Sequence, residues 1–211
     1  MKNLIIIGAR GFGRETFTLA KNCKGYGKDY LIKGFLDDKS DALNGFENYP
    51  SILGSVENYT IKADDVFICA LGHVKWKKFY SEIILNRGGK FINLIHPSVV
   101  FHDNVEIGLG LIICQGSCLS NDIKIGNFVT ILSNCVLGHD VTVGNWCHIG
   151  AFSFMGGFSI LEDEATLNVR ATVLPRVLIK EGASVGASSL AIRNVKKGTT
   201  VFGVPAQVLK F

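Results

Sequence analysis

From Ile95 onward, hydrophobic side chains return at every sixth residue. Sixteen consecutive hexads, from IHPSVV and FHDNVE to VGASSL, run to residue 190 without an insertion. The first position is Ile, Leu, Val, Met or Phe in every block, and the fifth is Val, Leu, Ile, Ser, Cys or Ala. Glycine takes the second position seven times, at Gly108, Gly126, Gly138, Gly144, Gly150, Gly156 and Gly186. A fixed internal period outranks local propensity. Two inward positions per six residues suit a short strand followed by a sharp corner. Large first-position residues stack into columns, small fifth-position residues fit where walls converge, and Gly, Asn and Asp near the corners tolerate left-handed backbone angles. Three such sides close one coil of eighteen residues, so the pattern predicts a parallel β-solenoid whose coils cover one another. The tail AIRNVKKGTTVFGVPAQVLKF breaks the rhythm and is expected to cap the open end.

The first ninety residues alternate differently. NLIIIGARGFGRETFTLAKNC reads as a buried strand, a glycine turn and an amphipathic helix. YLIKGFLDD is a second strand ending in Asp37 and Asp38; DDVFICALGH is a third, followed by the helical VKWKKFYSEIILNRGG and a short KFINLI. Such alternation predicts a small Rossmann-like parallel α/β sheet with right-handed connections. The chain therefore divides into a domain over residues 1–93 and a solenoid with its cap over 94–211. Gly8, Gly11 and Gly13 form G-x-x-G-x-G at the first strand-to-helix turn. Glycines there let backbone N–H groups and the helix N-terminus approach a pyrophosphate, although a plain tight connection uses them too. The spacing departs from G-x-G-x-x-G, which speaks against NAD. Asp37 and Asp38, at a strand's carboxyl end, favour a nucleotide.

Composition narrows the class. Of 211 residues, 47% are hydrophobic and 19% charged, which supplies a core and excludes disorder. No apolar run reaches bilayer-spanning length, and the N-terminal apolar block, followed by glycine, Arg10 and Arg14, reads as a strand rather than a signal peptide. A cytoplasmic protein is expected. The net charge of +4 comes without a dense basic stripe, so nucleic acid is not an expected partner. Six cysteines show no CxxC pair and no zinc-type spacing with histidine, so neither disulfides nor a metal is expected.

The candidate chemistry lies in the solenoid. His139 is the third residue of LGHDVT and His148 the sixth of VGNWCH, both outside the inward columns. An isolated histidine there would be a solvated wall residue. Nine residues is half a coil, so the two fall far apart on one cross-section and can share a pocket only if one comes from a neighbouring chain. Cys135 and Cys147 occupy the inward fifth position, which argues against a nucleophilic cysteine. Phe152, Phe154 and Phe158 point outward and suggest a subunit contact. His96 and His102 read as structural or surface groups, while Arg193, Lys196 and Lys197 near the tail suit a ligand's phosphates and a solvated cap about equally well.

Three features coincide: the glycine turn of the N-terminal α/β domain, the uninterrupted hexads, and the closing GVPAQVL at residues 203–209. Together they resemble, over essentially the whole chain, the NeuD/PglD-type sugar O- and N-acetyltransferases. The resemblance implies left-handed winding of the β-helix, acetyl-CoA as donor, a homotrimer, and active sites in the grooves between prisms. It places the catalytic histidine and its following acid on His139 and Asp140, a second histidine near the acetyl group on His148, and the pantetheine groove on Gly157. The nucleotide-sugar turn falls on Gly8, Gly11 and Gly13, with Asp37 near base or ribose. The expected activity is N-acetylation of a nucleotide-linked amino sugar for surface glycan synthesis, with His139 as general base. O-acetylation of a sialic-acid-type sugar is the alternative within enzymes. A non-catalytic trimeric scaffold or sugar-nucleotide sensor is the alternative outside them.

Overall fold

The computed structural model describes residues 1–209 and divides into two compact units, the division in the chain falling between Pro97 and Ser98. The first contains a four-stranded parallel sheet, with β1 (Lys2–Ile7), β2 (Tyr30–Leu36), β3 (Asp65–Cys69) and β4 (Lys90–Phe91) in the order β2-β1-β3-β4. Helix α1 (Gly11–Asn22) follows β1 and α2 (Val74–Asn86) follows β3. Leu4, Ile5 and Ile6 are wholly buried, as a central parallel strand requires when both its faces are covered. Ile7 pairs with Leu36 on one side and Cys69 on the other, so three strands end level. The chain leaves them at Gly8, Asp37 and Ala70 along one carboxyl edge, where open α/β sheets bind ligands.

At the opposite edge, Asp65 is buried and accepts hydrogen bonds from Lys33 Nζ (2.9 Å), the Tyr59 hydroxyl (2.8 Å) and the Lys62 N–H (2.9 Å). Burial by itself would raise its pKa, but these donors outweigh it and hold the carboxyl below the usual range. A depressed carboxylate stabilises the fold above the ordinary carboxylate range, and that stability is lost as pH falls through the folded pKa. Asp65→Asn is therefore expected to cost about 2 kcal/mol at pH 7, with the deficit shrinking toward pH 3. Urea unfolding at both pH values measures this, and equal stabilities at pH 7 would contradict it.

The second unit is a left-handed parallel β-helix with three walls. Strands pair with those eighteen residues away, as in Val136↔Phe154 on the first wall, Thr142↔Ile160 on the second and His148↔Thr166 on the third. First-position side chains from Ile113 to Val185 are at most 5% exposed, and fifth-position residues such as Ser117, Ala165 and Ala183 are buried where walls converge. Phe101 and Ile107 depart from the pattern at 40% and 39% exposure, because the strands of that coil pair with a neighbour on one side only.

The corners correct the expectation drawn from composition. Every fourth hexad position from Asn104 to Ser188 has positive φ, between 54° and 72°. Gly, Asn and Asp account for under half of them; the rest include Phe128, Trp146, Phe152, Phe158, Arg170 and Arg176. A left-handed non-glycine residue costs roughly 1–2 kcal/mol. Against it stands burial of the adjoining column residue, worth about 1.5–3 kcal/mol. The corner N–H also finds a partner one coil below: Asp140 donates to Asn121 O and Phe158 to His139 O, both at 3.0 Å. Aromatics add stacking, as between Phe128 and Trp146, whose rings lie parallel 4.1 Å apart.

Thr200–Gly203 extends the third wall beside Ser184–Val185, and Ala206–Val208 folds back on it antiparallel. Lys210 and Phe211, the last residues of the expected cap, lie outside the described residues. Among the described residues no helix is long and apolar enough to cross a membrane.

Candidate active site

His139 sits at the corner between the strands Val136–Leu137 and Thr142–Val143, where Asn121, His139 and Gly157 stack coil upon coil. Asp140 takes the left-handed angle (φ 58°) that turns the chain, and its Oδ2 comes to 2.8 Å from His139 Nδ1. A carboxylate only accepts, so it assigns the proton to Nδ1 and leaves the Nε2 lone pair for a reacting group. The imidazole is 58% exposed, open to an incoming ligand.

Two neighbours from the next coil fix the ring. Phe158 meets it edge to face, with centroids 5.2 Å apart and planes at 88°. The Arg176 guanidinium lies 4.5 Å from the Phe158 ring centroid, bracing it from the following coil. Gly157 lies directly against the imidazole: a Cβ at this residue would stand 2.7 Å from both Cε1 and Nε2 of His139. No larger residue leaves that ring in place. The sequence reading placed Phe158 at a subunit contact and gave Arg176 no role. Their signal was the eighteen-residue period, which stacks Phe158 on Asp140 and Arg176 on Phe158.

His148 lies in the strand His148–Ile149 of the third wall, between Thr130 and Thr166, and is half-buried. Within one prism, His139 thus sits at the corner between the first two walls and His148 on the third. Cys135 and Cys147 are wholly buried, and their thiols donate to Gly150 O and Glu162 O at 3.1 Å. Burial pushes the Cys135 thiol up to about 11, far from a reactive thiolate. His102 contacts Asn121 Oδ1 at 3.4 Å, and Lys197 is paired with Glu181 at 2.7 Å.

In the first unit a crevice of about 500 Å³ opens at the carboxyl edge of the sheet, between the glycine turn and α2. Gly8 (φ 96°) and Gly13 line it, and a Cβ on Gly13 would stand 2.0 Å from Gly8 O, so helix and turn pack this closely only around glycine. Gly11 faces open space instead. No side chain caps α1. Asp37 borders the crevice, but its Oδ2 accepts from the Ala9 N–H (2.9 Å) and its Oδ1 from the Lys39 N–H (3.0 Å). Its visible work is to hold the glycine turn. Asp38 beside it accepts from the Tyr80 hydroxyl, which pushes the Tyr80 pKa up. Arg10, His73, Trp76 and Tyr80 also line the crevice and were not singled out as site residues from sequence. For the latter pair, the signal was aromatic spacing in WKKFY just after Gly72.

Comparison with known proteins adds a third line of observation. The PglD N-terminal domain family matches residues 3–84, and the bacterial transferase hexapeptide family (six repeats) matches residues 122–157. A curated relative, UDP-3-O-acylglucosamine N-acyltransferase 2 of Rhodopseudomonas palustris, is 40% identical over 109 residues, which cover 52% of this chain. Those residues span only 29% of that relative. PerB of Caulobacter crescentus, solved with CoA and GDP-perosamine, superposes with a TM-score of 0.89 at 23% identity, covering 100% of this chain and 98% of its own. That likeness establishes the fold. WeeI of Acinetobacter baumannii gives a TM-score of 0.85 at 25% identity, covering 99% of this chain and all (100%) of its own.

Proposed function

We propose that this chain, whose N-terminal part matches the PglD N-terminal domain family and whose prism matches the hexapeptide transferase family, acts as a NeuD/PglD-type sugar acetyltransferase: it acetylates the amino group of a nucleotide-linked sugar, using acetyl-CoA, in cytoplasmic surface-glycan synthesis. The observation that carries the proposal is His139, with Asp140 on Nδ1 and Nε2 open above Gly157.

The acceptor amine attacks the thioester carbonyl, forming the C–N bond while the carbonyl electrons move to oxygen. His139 Nε2 takes the amine proton, and Asp140 stabilises the imidazolium across the 2.8 Å contact. Collapse of the oxyanion expels the CoA sulfur, and the proton returns to it from His139. A thioester is already activated, so the buried cysteines are not needed. Gly157 lets the imidazole lie against the backbone of the next coil, and the donor's acetyl group would approach from the exposed side of the ring. The nucleotide of the acceptor belongs in the crevice of the first unit, which supplies binding energy remote from the reacting atoms.

The site is proposed to be shared in a homotrimer. Val100, Val136 and Phe154, outward on the first wall, are 50%, 41% and 40% exposed, an apolar stripe suited to burial against a second copy. Association would bring His148 of a neighbouring copy toward His139, where it would hold the thioester carbonyl.

Thiol release from acetyl-CoA, followed with a panel of UDP-, TDP- and GDP-linked amino sugars and with free sialic acid, tests the function. Turnover with an amino sugar nucleotide by a preparation sedimenting as a trimer is the expected result. Turnover with sialic acid alone would move the reading to O-acetylation. A trimer that binds no CoA and turns over nothing would make the protein a scaffold.

A further inference from the structure

The crevice holds a feature that the glycine turn does not explain. At the start of α2, Trp76 and Phe79 are 48% and 46% exposed. With Tyr80 they form a cluster whose ring centroids lie 5.1–6.2 Å apart. Large rings more often turn inward, yet Trp76 and Tyr80, four residues apart on one helix face, line the wall of the cavity. Phe79 meets the indole at 86°, bracing its plane from the side. Asp38 is fixed by the Tyr80 hydroxyl through one oxygen, Oδ2. Arg10 brings a guanidinium to the same cavity from the glycine turn.

A braced aromatic plane, an anchored carboxylate and a cation in one cavity complement a flat base, an N–H or hydroxyl donor and a diphosphate. We infer that Trp76 is the nucleobase platform of this crevice: the base of a nucleoside diphosphate stacks on the indole, Asp38 accepts from the base edge or the ribose, and Arg10 meets the diphosphate. Stacking tolerates any base, whereas the acceptor favours bases that present an N–H. The inference rests on the nucleotide reading above and adds the residue that holds the base. The 3′-phospho-ADP end of CoA carries the same groups, so CoA forms a separate arm of the test.

The chain has two tryptophans, Trp76 and Trp146, and the second is stacked on Phe128 in the prism. In Trp146→Phe, UDP, TDP or GDP is expected to quench the remaining emission saturably, and CoA at the same concentration is not. Trp76→Ala should raise the calorimetric Kd of the best nucleotide about tenfold or more, and Trp76→Phe about threefold at most. In turnover, Trp76→Ala should raise KM for the sugar nucleotide and leave kcat and KM for acetyl-CoA in place, because the base is remote from the chemistry. Nucleotide binding without quenching, or with Kd unchanged in Trp76→Ala, overturns the platform and leaves the proposed function standing. Quenching by CoA in place of nucleotides overturns it too. If wild type binds none of the three nucleotides, the nucleotide reading itself falls.

Discussion

His139→Ala is expected to lower kcat by about a hundred- to ten-thousandfold with the fold and assembly unchanged. The imidazole is more than half exposed and makes no contact that the prism columns depend on, so its loss is chemical rather than structural. Asp140→Asn should lower the rate through the same atom. The imidazolium loses its counter-charge, and an amide whose NH2 faces Nδ1 moves the ring proton to Nε2 and removes the base. Rates with acetyl-CoA and the best acceptor, alongside sedimentation of each variant, check both. Wild-type turnover in His139→Ala would remove this residue from the mechanism, whatever the family.

The second large effect is expected from a single methyl group. Gly157→Ala places a Cβ where His139 Cε1 and Nε2 now lie, 2.7 Å away, and the ring must swing off its seat. What yields is the far end of a side chain, not backbone, so thermal stability should stay close to wild type. A misplacement of about 1 Å at a reacting atom costs on the order of a hundredfold in rate. Activity down by that amount with an unchanged melting curve is the expected pair of results; undiminished activity would mean that the base works from another orientation.

Much of this was legible in the sequence because a solenoid answers to its own period. Any residue of the prism has its neighbours eighteen positions away, so the columns under Leu137, Ile149 and Leu167 could be written down from the hexads. The pairing of His139 with Asp140 was readable for the same reason that it is local. What composition concealed was the backbone at the corners. Phe158 and Arg176 adopt φ of 60° and 65° although neither residue type favours it, because the repeat imposes the angle and the column repays it. Their part in bracing His139 became visible only with their conformation. In the first unit, Asp37 was placed correctly at the strand end, but the level strand ends bring the Ala9 N–H to it, which no linear pattern encodes. Trp76 lay within a helix whose exposed face the amphipathic pattern could not orient.

His139 and Gly157 touch because one circuit of the prism separates them. A single residue lost between them would slide Phe158 under the imidazole, and one added or lost would shift the inward columns out of register from there on. Length in this half of the protein is therefore quantised: descendants of this chain can grow taller by whole circuits, above or below the histidine, but not by the small insertions that ordinary loops absorb.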